Sequence, residues 1–589
     1  MNDDGALAGL DERQLEAATT LRGPLRVLAG AGTGKTRVIT HRIAHGVDTG
    51  AYSPGRVMAV TFTAKAAGQL RGRLRALGIG GVAARTFHAA ALAQLNFFWP
   101  QLAGDTAPAI VDNKVRMLAH AAEGLRLDLD TATLRDVASG IEWRKVTMRS
   151  VADYARERPN GVGRLGVATV VDLHEAYERL KDTRRQLDFE DVLLACAGMI
   201  ESEPRVAHAV HEQYRHFTVD EFQDASPVQV RLLELWLGDR RDLCVVGDAS
   251  QTIYSFAGAE ARHLLEFESR HPDAVTVRLE ANYRSEPPVL AVANALMRGR
   301  PGAVELIAAT VAPAADVRPS VTAYPNDAEE ARGIARQIAR LVGTGVNPRD
   351  IAVLYRAHAQ SAELLTALAE AGIAATVLGG RRFFDLPEVR KALLLLGGES
   401  KAHQQRDLHD AVRDVLRSAG FADDPPAAGG ALRDAWEAQA AFLRLADEAP
   451  AGTTVPEFKR MMEARARDQH DPALRTVTLS TLHAAKGLEW DHVFLAGMAE
   501  GLLPIAYART FEEVDEERRL AYVGITRAAR TLALSWSEGF ASQPRQPSRF
   551  LREIGTGTLD ERRAPHAPAG ATRAAALRTS RTPPPAARR

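Results

Sequence analysis

The chain has 589 residues, too many for a single hydrophobic core, and this length predicts roughly three to five folding units. Its 74 Lys and Arg residues balance 74 Asp and Glu residues, so nucleic-acid binding would need a local groove, because bulk charge cannot supply it. Two cysteines exclude a disulfide framework and indicate a reducing compartment, and the absence of a leader or an apolar run of about 18 residues predicts a cytoplasmic protein without membrane contact.

The helix predicted at the start of the chain carries a candidate base-reading residue. Residues 10–17 combine a capping Asp11 with helical periodicity, and Gln14 lies in the first turn. The Gln14 amide could read an adenine edge. Taken alone, Gln14 is better explained as a surface glutamine.

A small-residue loop follows the first predicted strand. Residues 25–28 are apolar and predict a buried strand, and a helix is predicted to start near residue 36. The loop reads Ala29-Gly30-Ala31-Gly32-Thr33-Gly34-Lys35-Thr36, which matches G-x-x-x-x-G-K-[ST] except that Ala29 replaces the first glycine. Its backbone N–H groups would cradle phosphates, Lys35 would reach the terminal phosphates, and the Thr36 hydroxyl would hold Mg²⁺. An ordinary turn between strand and helix is the alternative.

Aromatic and basic residues occur near the ends of the next two predicted strands. Phe62 ends the strand at 57–63, and Lys65 lies in the basic helix that follows. Ligands bind at the carboxyl ends of parallel strands, so Phe62 could stack on a base with Lys65 near a phosphate. The sequence Arg85-Thr86-Phe87-His88 repeats this pattern and adds His88. A core phenylalanine and a solvated helix face explain Phe62 and Lys65 at least as well.

Two adjacent carboxylates end a later apolar strand. In Phe217-Thr218-Val219-Asp220-Glu221, Asp220 would hold the Mg²⁺ shell and Glu221 would polarise the attacking water. The alternative is a pair of helix-capping residues. After the next strand, at 243–248, Gln251 is placed to sense the γ-phosphate, while Tyr254 and Phe256 could form a platform for stacking bases.

The remaining pattern predicts a second α/β unit and two helical insertions. Residues 1–100 and 188–274 form the first unit, interrupted by a helical insertion at 101–187. The second unit comprises 275–396 and 475–554, interrupted by a short helical insertion at 397–474. Its predicted strands are Val275–Leu279, Ile351–Tyr355, Val477–Leu479 and His492–Leu495, and its first long helix has Asp327 as candidate cap and Gly343 as stop. Residues 555–589, with seven Arg against one Asp and one Glu, are predicted to be a disordered tail.

The second unit lacks a phosphate loop of its own but contains two notable arginines. Arg284 lies in Glu280-Ala281-Asn282-Tyr283-Arg284-Ser285, and Arg527 lies in Thr526-Arg527-Ala528. Arginines presented by one domain to a nucleotide held on another stabilise the charge that develops during phosphoryl transfer. Individually, each is better explained as a surface salt-bridge residue.

Together, these motifs resemble superfamily I DNA helicases of the UvrD/PcrA/Rep family. The matching stretches, in the family's order, are residues 29–36, 61–67, 86–88, 219–224, 246–259, 280–285, 351–361, 478–489 and 516–528. The similarity is strongest to the second UvrD-like paralogue of actinobacteria, which shares Gln-Thr-Ile-Tyr-Ser-Phe at 251–256. The chain stops without the C-terminal domain or cysteine cluster of such paralogues.

The resemblance implies an α/β fold with two RecA-like P-loop motor domains, parallel sheets flanked by helices, each with an inserted mainly helical subdomain. ATP would bind between the motors, held by residues 29–36 and Arg37, with Tyr283 on the adenine, Gln14 at its edge and Glu489 near the ribose or phosphates. By position, Arg284 and Arg527 would be arginine fingers. The implied single-strand track is formed by Phe62, Lys65, His88, Tyr254, Phe256 and His483.

The implied function is ATP-dependent 3′→5′ movement on single-stranded DNA and at single-strand/duplex junctions, with repair proteins as possible partners. Phe256 and Ala257 stand where the family usually has Trp-Arg, which predicts a weaker grip on the strand. The insertion at 397–474 is short for the family and lacks its duplex-contacting pattern. A translocating ATPase that displaces proteins without efficient unwinding therefore remains the alternative. Signature sequences of GTPases and transporter ATPases are absent.

Overall fold

The computed structural model describes residues 5–309, 318–378, 383–399, 407–426, 431–447, 449–450, 452–468, 476–540 and 543–564. Within these ranges, no helix combines the length and apolar character needed to cross a membrane. The chain begins with α1 (Glu12–Thr19), β1 (Leu25–Ala29), α2 (Lys35–Asp48), β2 (Val57–Thr61), α3 (Ala64–Ala76), β3 (Ala83–Thr86) and α4 (Phe87–Ala103). It continues with β4 (Ala109–Ile110), α5 (Lys114–Gly124), α6 (Thr131–Val146), α7 (Val151–Glu157), α8 (Val167–Arg184) and β5 (Gln186–Leu187).

The middle of the chain completes one sheet and starts another. It contains α9 (Phe189–Ser202), α10 (Pro204–Gln213), β6 (His216–Val219), α11 (Pro227–Leu237), β7 (Leu243–Gly247), α12 (Arg262–Leu265), α13 (Phe267–Arg270) and β8 (Val275–Leu279). Next come β9 (Ala281–Asn282), α14 (Pro287–Met297), β10 (Ile307–Ala308), β11 (Ser320–Tyr324), α15 (Asp327–Gly343), β12 (Ile351–Tyr355), α16 (Ser361–Glu370) and β13 (Ala375–Leu378).

Four helices then precede the last strands. They are α17 (Pro387–Glu399), α18 (Leu408–Ser418), α19 (Ala431–Asp447) and α20 (Val455–Asp468). The chain continues with β14 (Val477–Thr481), β15 (Trp490–Leu495), α21 (Phe511–Ile525), β16 (Ala528–Ser537), β17 (Gly539–Phe540), β18 (Gln543–Pro544), α22 (Arg549–Ile554) and β19 (Asp560–Arg563).

The first sheet has six parallel strands in the order β3-β2-β6-β7-β1-β8. The strands β1, β2, β6 and β7 are buried throughout, as expected for a sheet covered by helices on both faces. Because β1, β6 and β7 are parallel neighbours, the residues after Ala29, Val219 and Gly247 meet at one edge. This edge positions the phosphate loop beside the paired carboxylates.

The second sheet has seven strands in the order β13-β14-β12-β15-β16-β11-β19, and all its pairings are parallel. Helices α14 and α21 contribute to a core on one face, with Leu290 and Leu520 buried there, while α15 and α16 contribute Ile338 and Leu365 to another. The α/β prediction, with two parallel sheets flanked by helices, is confirmed.

The strand at Val275–Leu279 is not in the second unit, as the sequence had predicted. It is β8, the edge strand of the first sheet, and it pairs with β1 from Leu25 opposite Val275 to Ala29 opposite Leu279. An apolar strand pattern identifies a strand but not its hydrogen-bonding partner. The chain therefore completes the first sheet before it crosses to the second, and the boundary predicted at residue 275 is wrong.

The predicted disordered tail contains a strand at its start. Residues 560–563 form β19, which pairs with β11 from Ser320 opposite Asp560 to Ala323 opposite Arg563. All four residues of β19 are exposed at the sheet edge, so main-chain hydrogen bonds hold a charged segment that no apolar pattern could reveal. Disorder is therefore wrong for 560–563, while 565–589 lie outside the described residues.

The two helical segments have cores of their own, and their limits differ from the predicted ones. Helices α5, α6 and α8 share one core, and the preceding α4 extends past residue 100 to Ala103. In the second segment, Val389 and Leu396 of α17 pack in the same core as Val412 and Phe442. The boundary predicted at residue 397 thus falls inside α17 and is wrong, because this helix buries its apolar face against α18–α20.

The long helix after β11 ends at Gly343, as predicted, but its N-cap is Asn326. The Asn326 side chain accepts the N–H of Glu329 at 2.9 Å. Asp327 is instead held by Arg545, whose two terminal nitrogens donate to its carboxylate oxygens at 2.6 and 2.7 Å. The cap shifts by one residue because Asp327 has this cationic partner far along the chain.

Candidate active site

The loop between β1 and α2 brings backbone close to several side chains. Gly32 and Gly34 have φ values of +70° and +85°, which residues with a Cβ rarely adopt. A Cβ on Gly32 would lie 2.5 Å from Asn282 Nδ2, and one on Gly34 would lie 2.8 Å from Gln14 Nε2. Gly34 is also the N-cap of α2 and offers no side chain to cap it, so first-turn N–H groups are left for an anion.

Lys35 and Thr36 occupy the first turn of α2, at the mouth of this loop. The Lys35 Nζ donates to the carbonyl of Ala29 at 3.3 Å, so the ammonium group folds back over the loop. Its charge lowers the pKa of the neighbouring Glu221. The predicted phosphate cation is therefore beside both the loop and the paired carboxylates.

The residues predicted to surround the adenine meet beside the loop. Gln14 is buried, its Nε2 donates to Thr33 O at 3.0 Å, and its Oε1 accepts the N–H of Asp11 in the capping box of α1. Tyr283 donates its N–H to Gly32 O at 2.9 Å and its hydroxyl to Asp11 Oδ2 at 2.6 Å. The Tyr283 ring is 47% exposed, so one face is open to a base.

Arg37 lies one residue beyond Thr36, but its Nη2 donates to Gly9 O at 2.7 Å. In this structure the guanidinium thus ties α2 to the chain start. A role for Arg37 in nucleotide binding remains a prediction.

Asp220 and Glu221 follow β6 in a buried setting with opposite pKa shifts. Burial and then the Glu221 charge raise the pKa of Asp220. Burial acts in the same direction on Glu221, but Lys35 and Lys486 outweigh it and hold the Glu221 pKa below its usual value. Glu221 also has a positive φ of 54°, unusual for a residue with a Cβ, and such backbone is concentrated at functional sites.

Thr36 and Asp220 fit the chemistry of Mg²⁺. One Asp220 oxygen accepts the N–H of Glu221 at 2.9 Å, and its raised pKa indicates a buried carboxylate that a cation would stabilise as the anion. In ATP-hydrolysing sites, Mg²⁺ typically takes one or two carboxylates together with phosphate oxygens and water. In the described ranges, no group of three or more His, Cys, Asp or Glu residues could hold a metal ion.

A glutamine that the sequence reasoning did not single out links the two strand ends. Gln223 is fully buried, its Nε2 donates to Glu221 Oε2 at 2.5 Å, and its Oε1 accepts the N–H of Asp248 at 3.0 Å. The predicted γ-phosphate sensor, Gln251, donates through Nε2 to Asp248 Oδ2 at 2.7 Å. A continuous path of hydrogen bonds therefore runs from Glu221 to Gln251.

The two predicted arginine fingers lie together on the second unit. Arg284 Nε donates to Glu489 Oε2 at 2.6 Å, and Nη1 donates to Thr526 O at 3.4 Å. Arg527 is 2% exposed and donates to the carbonyls of Val523 and Leu488 and to the Thr526 hydroxyl. Burial, then the positive charge of Arg284, lowers the pKa of Arg527 to about 9.

Three residues of the second unit make contacts across the site that the sequence did not predict. Lys486 Nζ donates to Asp224 and, at 2.8 Å, to Gln251 O. Arg519 Nε donates to Thr252 O at 2.7 Å, and Glu516 accepts the N–H of Ser255 at 3.0 Å. Lys486 lies in the stretch 478–489, and Glu516 and Arg519 lie in 516–528, both of which match motifs of the family. Each of their partners is more than 200 residues away in the sequence.

Tyr254, Phe256 and His483 form one aromatic cluster. Ring centroids are 6.1 Å apart for Tyr254 and Phe256, 6.3 Å for Tyr254 and His483, and 5.9 Å for Phe256 and His483. Phe256 is 58% exposed, whereas burial lowers the pKa of His483 to about 3 and keeps its imidazole neutral. The cluster therefore offers the exposed Phe256 ring beside two half-buried rings.

The other residues predicted to contact single-stranded DNA, Phe62, Lys65 and His88, are not part of this aromatic cluster. Phe62 is half-buried and packs 5.6 Å from Phe87, while His88 lies 5.6 Å from the exposed ring of Phe189. Lys65 is exposed in α3. A core role thus accounts for Phe62, and DNA contacts by Phe62, Lys65 and His88 remain predictions.

Comparison with known proteins adds independent information. Residues 10–272 match the family model for the UvrD/REP helicase N-terminal domain, and residues 277–417 and 453–539 match that for the UvrD-like helicase C-terminal domain. The chain is 45% identical to the ATP-dependent DNA helicase UvrD2 of Mycobacterium tuberculosis, over 94% of this chain and 83% of the relative. It is 30% identical to the ATP-dependent DNA helicase PcrA of Leuconostoc citreum and 29% to DNA helicase II of Escherichia coli, over 94% of this chain and 85% and 88% of those relatives.

Proposed function

The chain belongs to the UvrD/REP helicase family and is an ATP-dependent DNA helicase, and from this we propose that it moves 3′→5′ along single-stranded DNA. One observation carries the proposal: the chain that crosses from the first sheet to the second packs on the phosphate loop, and Lys486 of the second unit contacts Asp224 beside it. Asn282 Nδ2 donates to Ala31 O at 2.6 Å, and Tyr283 N–H donates to Gly32 O, so the chain between the two sheets lies directly on the loop.

In the proposed ATP site, the first unit supplies the groups that bind phosphate and activate water. The loop N–H groups and Lys35 bind the phosphates, and Thr36 and Asp220 hold Mg²⁺, which neutralises phosphate charge. Lys35 and Lys486 keep Glu221 ionised, so its carboxylate accepts a hydrogen bond from the attacking water. Gln251 senses the γ-phosphate, and hydrogen bonds through Asp248 and Gln223 link Gln251 to Glu221.

The second unit supplies Arg284 and Arg527, which stabilise charge on the transferred phosphoryl group. In this structure Arg284 is paired with Glu489 and Arg527 is held by backbone oxygens. Both guanidinium groups must therefore exchange partners when the units close on ATP. Hydrolysis coupled to closure gives the two units alternating grips on a strand, which is the basis of translocation.

In the proposal, the DNA strand crosses the aromatic cluster of Tyr254, Phe256 and His483. Stacking of a base on an aromatic side chain is worth about 1–3 kcal/mol, so the exposed Phe256 ring can hold a strand without sequence preference. Lys486 Nζ lies 5.1 Å from the Tyr254 ring centroid and also contacts Asp224, so this cluster is joined directly to the ATP site. Binding at single-strand/duplex junctions and a role with DNA-repair proteins extend this proposal.

Strand displacement on three matched duplexes tests the proposal. The duplexes carry a 3′ tail, a 5′ tail or no tail, and each is incubated with ATP and Mg²⁺. We expect displacement from the 3′-tailed duplex alone. Displacement from the 5′-tailed duplex alone would refute the proposed polarity.

The second candidate is translocation that displaces proteins without efficient unwinding. It is favoured by the small second helical segment, in which four helices, α17–α20, share one core. ATP turnover stimulated by single strands, with removal of a bound protein but no displacement from any duplex, would identify this activity.

A further inference from the structure

Among the residues that the structure describes, a groove in the second unit is lined by six arginines and no acidic residue. We call it the Arg groove and define it by Arg318, Arg336, Arg340, Arg530, Arg562 and Arg563. It encloses about 550 Å³ between the start of β11, the first half of β16, the C-terminal half of α15 and β19. In a chain with no net charge, six guanidinium groups around one groove form a marked local excess of positive charge.

Three of these six guanidinium groups differ from the rest in their carboxylate partners. In the ranges that the structure describes, Arg318, Arg336 and Arg340 form no ion pair, and all three side chains are exposed. The other three are paired with acidic residues outside the groove lining: Arg530 with Asp491, Arg562 with Asp560 and Arg563 with Glu538. An anion in the groove would thus meet three cations that intramolecular pairs do not neutralise.

Uncharged hydrogen-bonding groups complete the lining. Thr322, Thr344 and Thr531 contribute hydroxyls, and Tyr324 contributes a phenol whose oxygen accepts a hydrogen bond from Gln337 at 3.3 Å. Planar guanidinium groups bind phosphate oxygens in pairs and are only weakly hydrated, which makes arginine the preferred partner of phosphates. The lining therefore suits the oxygens of a phosphodiester chain.

The groove is separate from the site described above. His483 follows the carboxyl end of β14, whereas Arg318 precedes the amino end of β11. Since all strands of this sheet are parallel, Arg318 and His483 lie at opposite edges of the sheet. No residue assigned to the ATP site lines the groove.

The sequence that leaves the groove has the same charge. Ala564 lines the groove, and the following 25 residues contain five arginines and no Asp or Glu. A lone groove of this size would suit a small phosphate compound, but a basic groove followed in the sequence by further arginines suits a long polyanion. Guanidinium recognition of phosphate favours nucleic acid over an acidic peptide as that polyanion.

We propose that the Arg groove is a second nucleic-acid site, which binds the phosphodiester backbone outside the proposed motor track. The proposal rests on the proposed function only in taking DNA as the polymer. It requires neither ATP nor movement. A second backbone contact would keep a strand attached to the protein while the aromatic cluster releases and rebinds it.

The test uses the full chain without nucleotide and the variant Arg336→Gln/Arg340→Gln. Both positions lie on α15, are exposed and accept glutamine without loss of helix propensity. The matched control is Arg184→Gln/Arg205→Gln, which removes two exposed arginines of other helices that form no ion pair in the described part of the chain. Binding of oligo(dT) and of duplex DNA is measured over a series of salt concentrations.

We expect the groove variant to bind DNA more weakly and with a smaller salt dependence. The loss of two phosphate contacts should make the negative slope of log K against log [salt] shallower, by about 1.4 on single strands or about 1.8 on duplex. The larger change identifies the form of DNA that occupies the groove. The control should retain the native slope on both. A groove variant with the native slope, or a control that loses as much, would overturn the proposal.

Photocrosslinking locates the contact independently of affinity. Cys196 and Cys244 are both buried, so a crosslinker on Thr344→Cys reports from the groove. We expect the crosslinker at position 344 to capture DNA. We expect this crosslink to disappear when the Arg336→Gln/Arg340→Gln changes are also present. Displacement of DNA by polyglutamate of equal charge at equal concentration would show a general anion surface and overturn the nucleic-acid assignment. ATP turnover stimulated by saturating single strands is measured in parallel, so failure of the motor is seen separately.

Discussion

Lys486 donates a hydrogen bond from the second unit to Asp224, which follows β6 of the first unit. The same ammonium donates to Gln251 O and lies over the ring of Tyr254, so it contacts the proposed γ-phosphate sensor and the proposed strand platform together. Burial, only partly offset by Lys486, raises the pKa of Asp224 to about 6. This buried pair is the most direct connection between the ATP site and the aromatic cluster.

Replacing Lys486 with methionine should destabilise the protein and uncouple ATP turnover from DNA. The change leaves Asp224 buried without a cation, and loss of one partner of a buried pair typically costs about 3–5 kcal/mol. The unfolding midpoint in denaturant and the stimulation of ATPase by single strands measure the two effects. Lys486→Met/Asp224→Asn should recover most of the stability but not the stimulation. Equal stimulation in all variants would show that the pair is only structural.

Lys35→Ala should abolish ATP turnover while binding to single strands survives. The loop backbone remains intact, but the main cation for the terminal phosphates is lost. Glu221 also loses the positive charge that does most to stabilise its ionised form. Steady-state ATPase and DNA-binding titrations with the same preparation test this. Lys391→Ala, which removes an exposed lysine of α17, is the matched comparison for turnover. Normal turnover in Lys35→Ala would contradict the assignment of the ATP site.

Arg284→Lys should fail to restore the activity lost in Arg284→Ala. A lysine keeps the charge but not the fork that contacts Glu489 and Thr526 here and a phosphoryl group in the closed state. We expect kcat to fall by roughly 10³-fold or more in both variants, with ATP binding changed much less. Single-turnover hydrolysis and nucleotide-binding titrations separate the two quantities. A lysine variant with near-native kcat would mean that Arg284 acts only as a surface charge.

Much of this site followed from sequence because it is local. The phosphate loop, Asp220, Glu221 and Gln251 each lie just after an apolar strand, and parallel strands bring such positions to one edge. The neighbouring Gln223 lay within a conspicuous stretch, but its bonds to Glu221 and Asp248 depend on how β6 and β7 pair. Local pattern places residues on elements, and strand pairing decides which of them touch.

Long-range partners were beyond sequence reasoning for the same reason. The Lys486 and Asp224 pair spans 262 residues, and β8 and β19 were misplaced because neither carries a signal for its neighbouring strand. Arg527 was predicted as an arginine finger, with a surface salt bridge as the alternative, yet it is buried and its guanidinium donates to oxygens of Val523, Thr526 and the more distant Leu488. Such geometry depends on the packing of a helix end, which residue types alone do not specify.

Phe256→Ala should weaken the stimulation of ATPase by single-stranded DNA. The exposed ring is the accessible face of the cluster with Tyr254 and His483, and its loss removes one stacking contact worth about 1–3 kcal/mol. The DNA concentration for half-maximal stimulation should therefore rise about 5- to 150-fold. Phe511→Ala removes an equally exposed ring at the start of α21 and should leave that concentration unchanged. An unchanged value for Phe256→Ala would show that its ring does not contact DNA.

His174 should make the first helical segment sensitive to acid. Its ring is fully buried in α8 beside Tyr154, and burial, then the charge of Arg144, lowers its pKa to about 3. Folding therefore favours the neutral imidazole. The contribution of His174 to the free energy of unfolding is complete above pH 6.5 and is lost as the pH falls from 6.5 toward 3. The loss is about 1.4 kcal/mol per pH unit. Unfolding midpoints of the native chain and of His174→Phe, measured between pH 7 and pH 5, should diverge in favour of the variant as the pH falls. Parallel curves would show that another group controls acid stability.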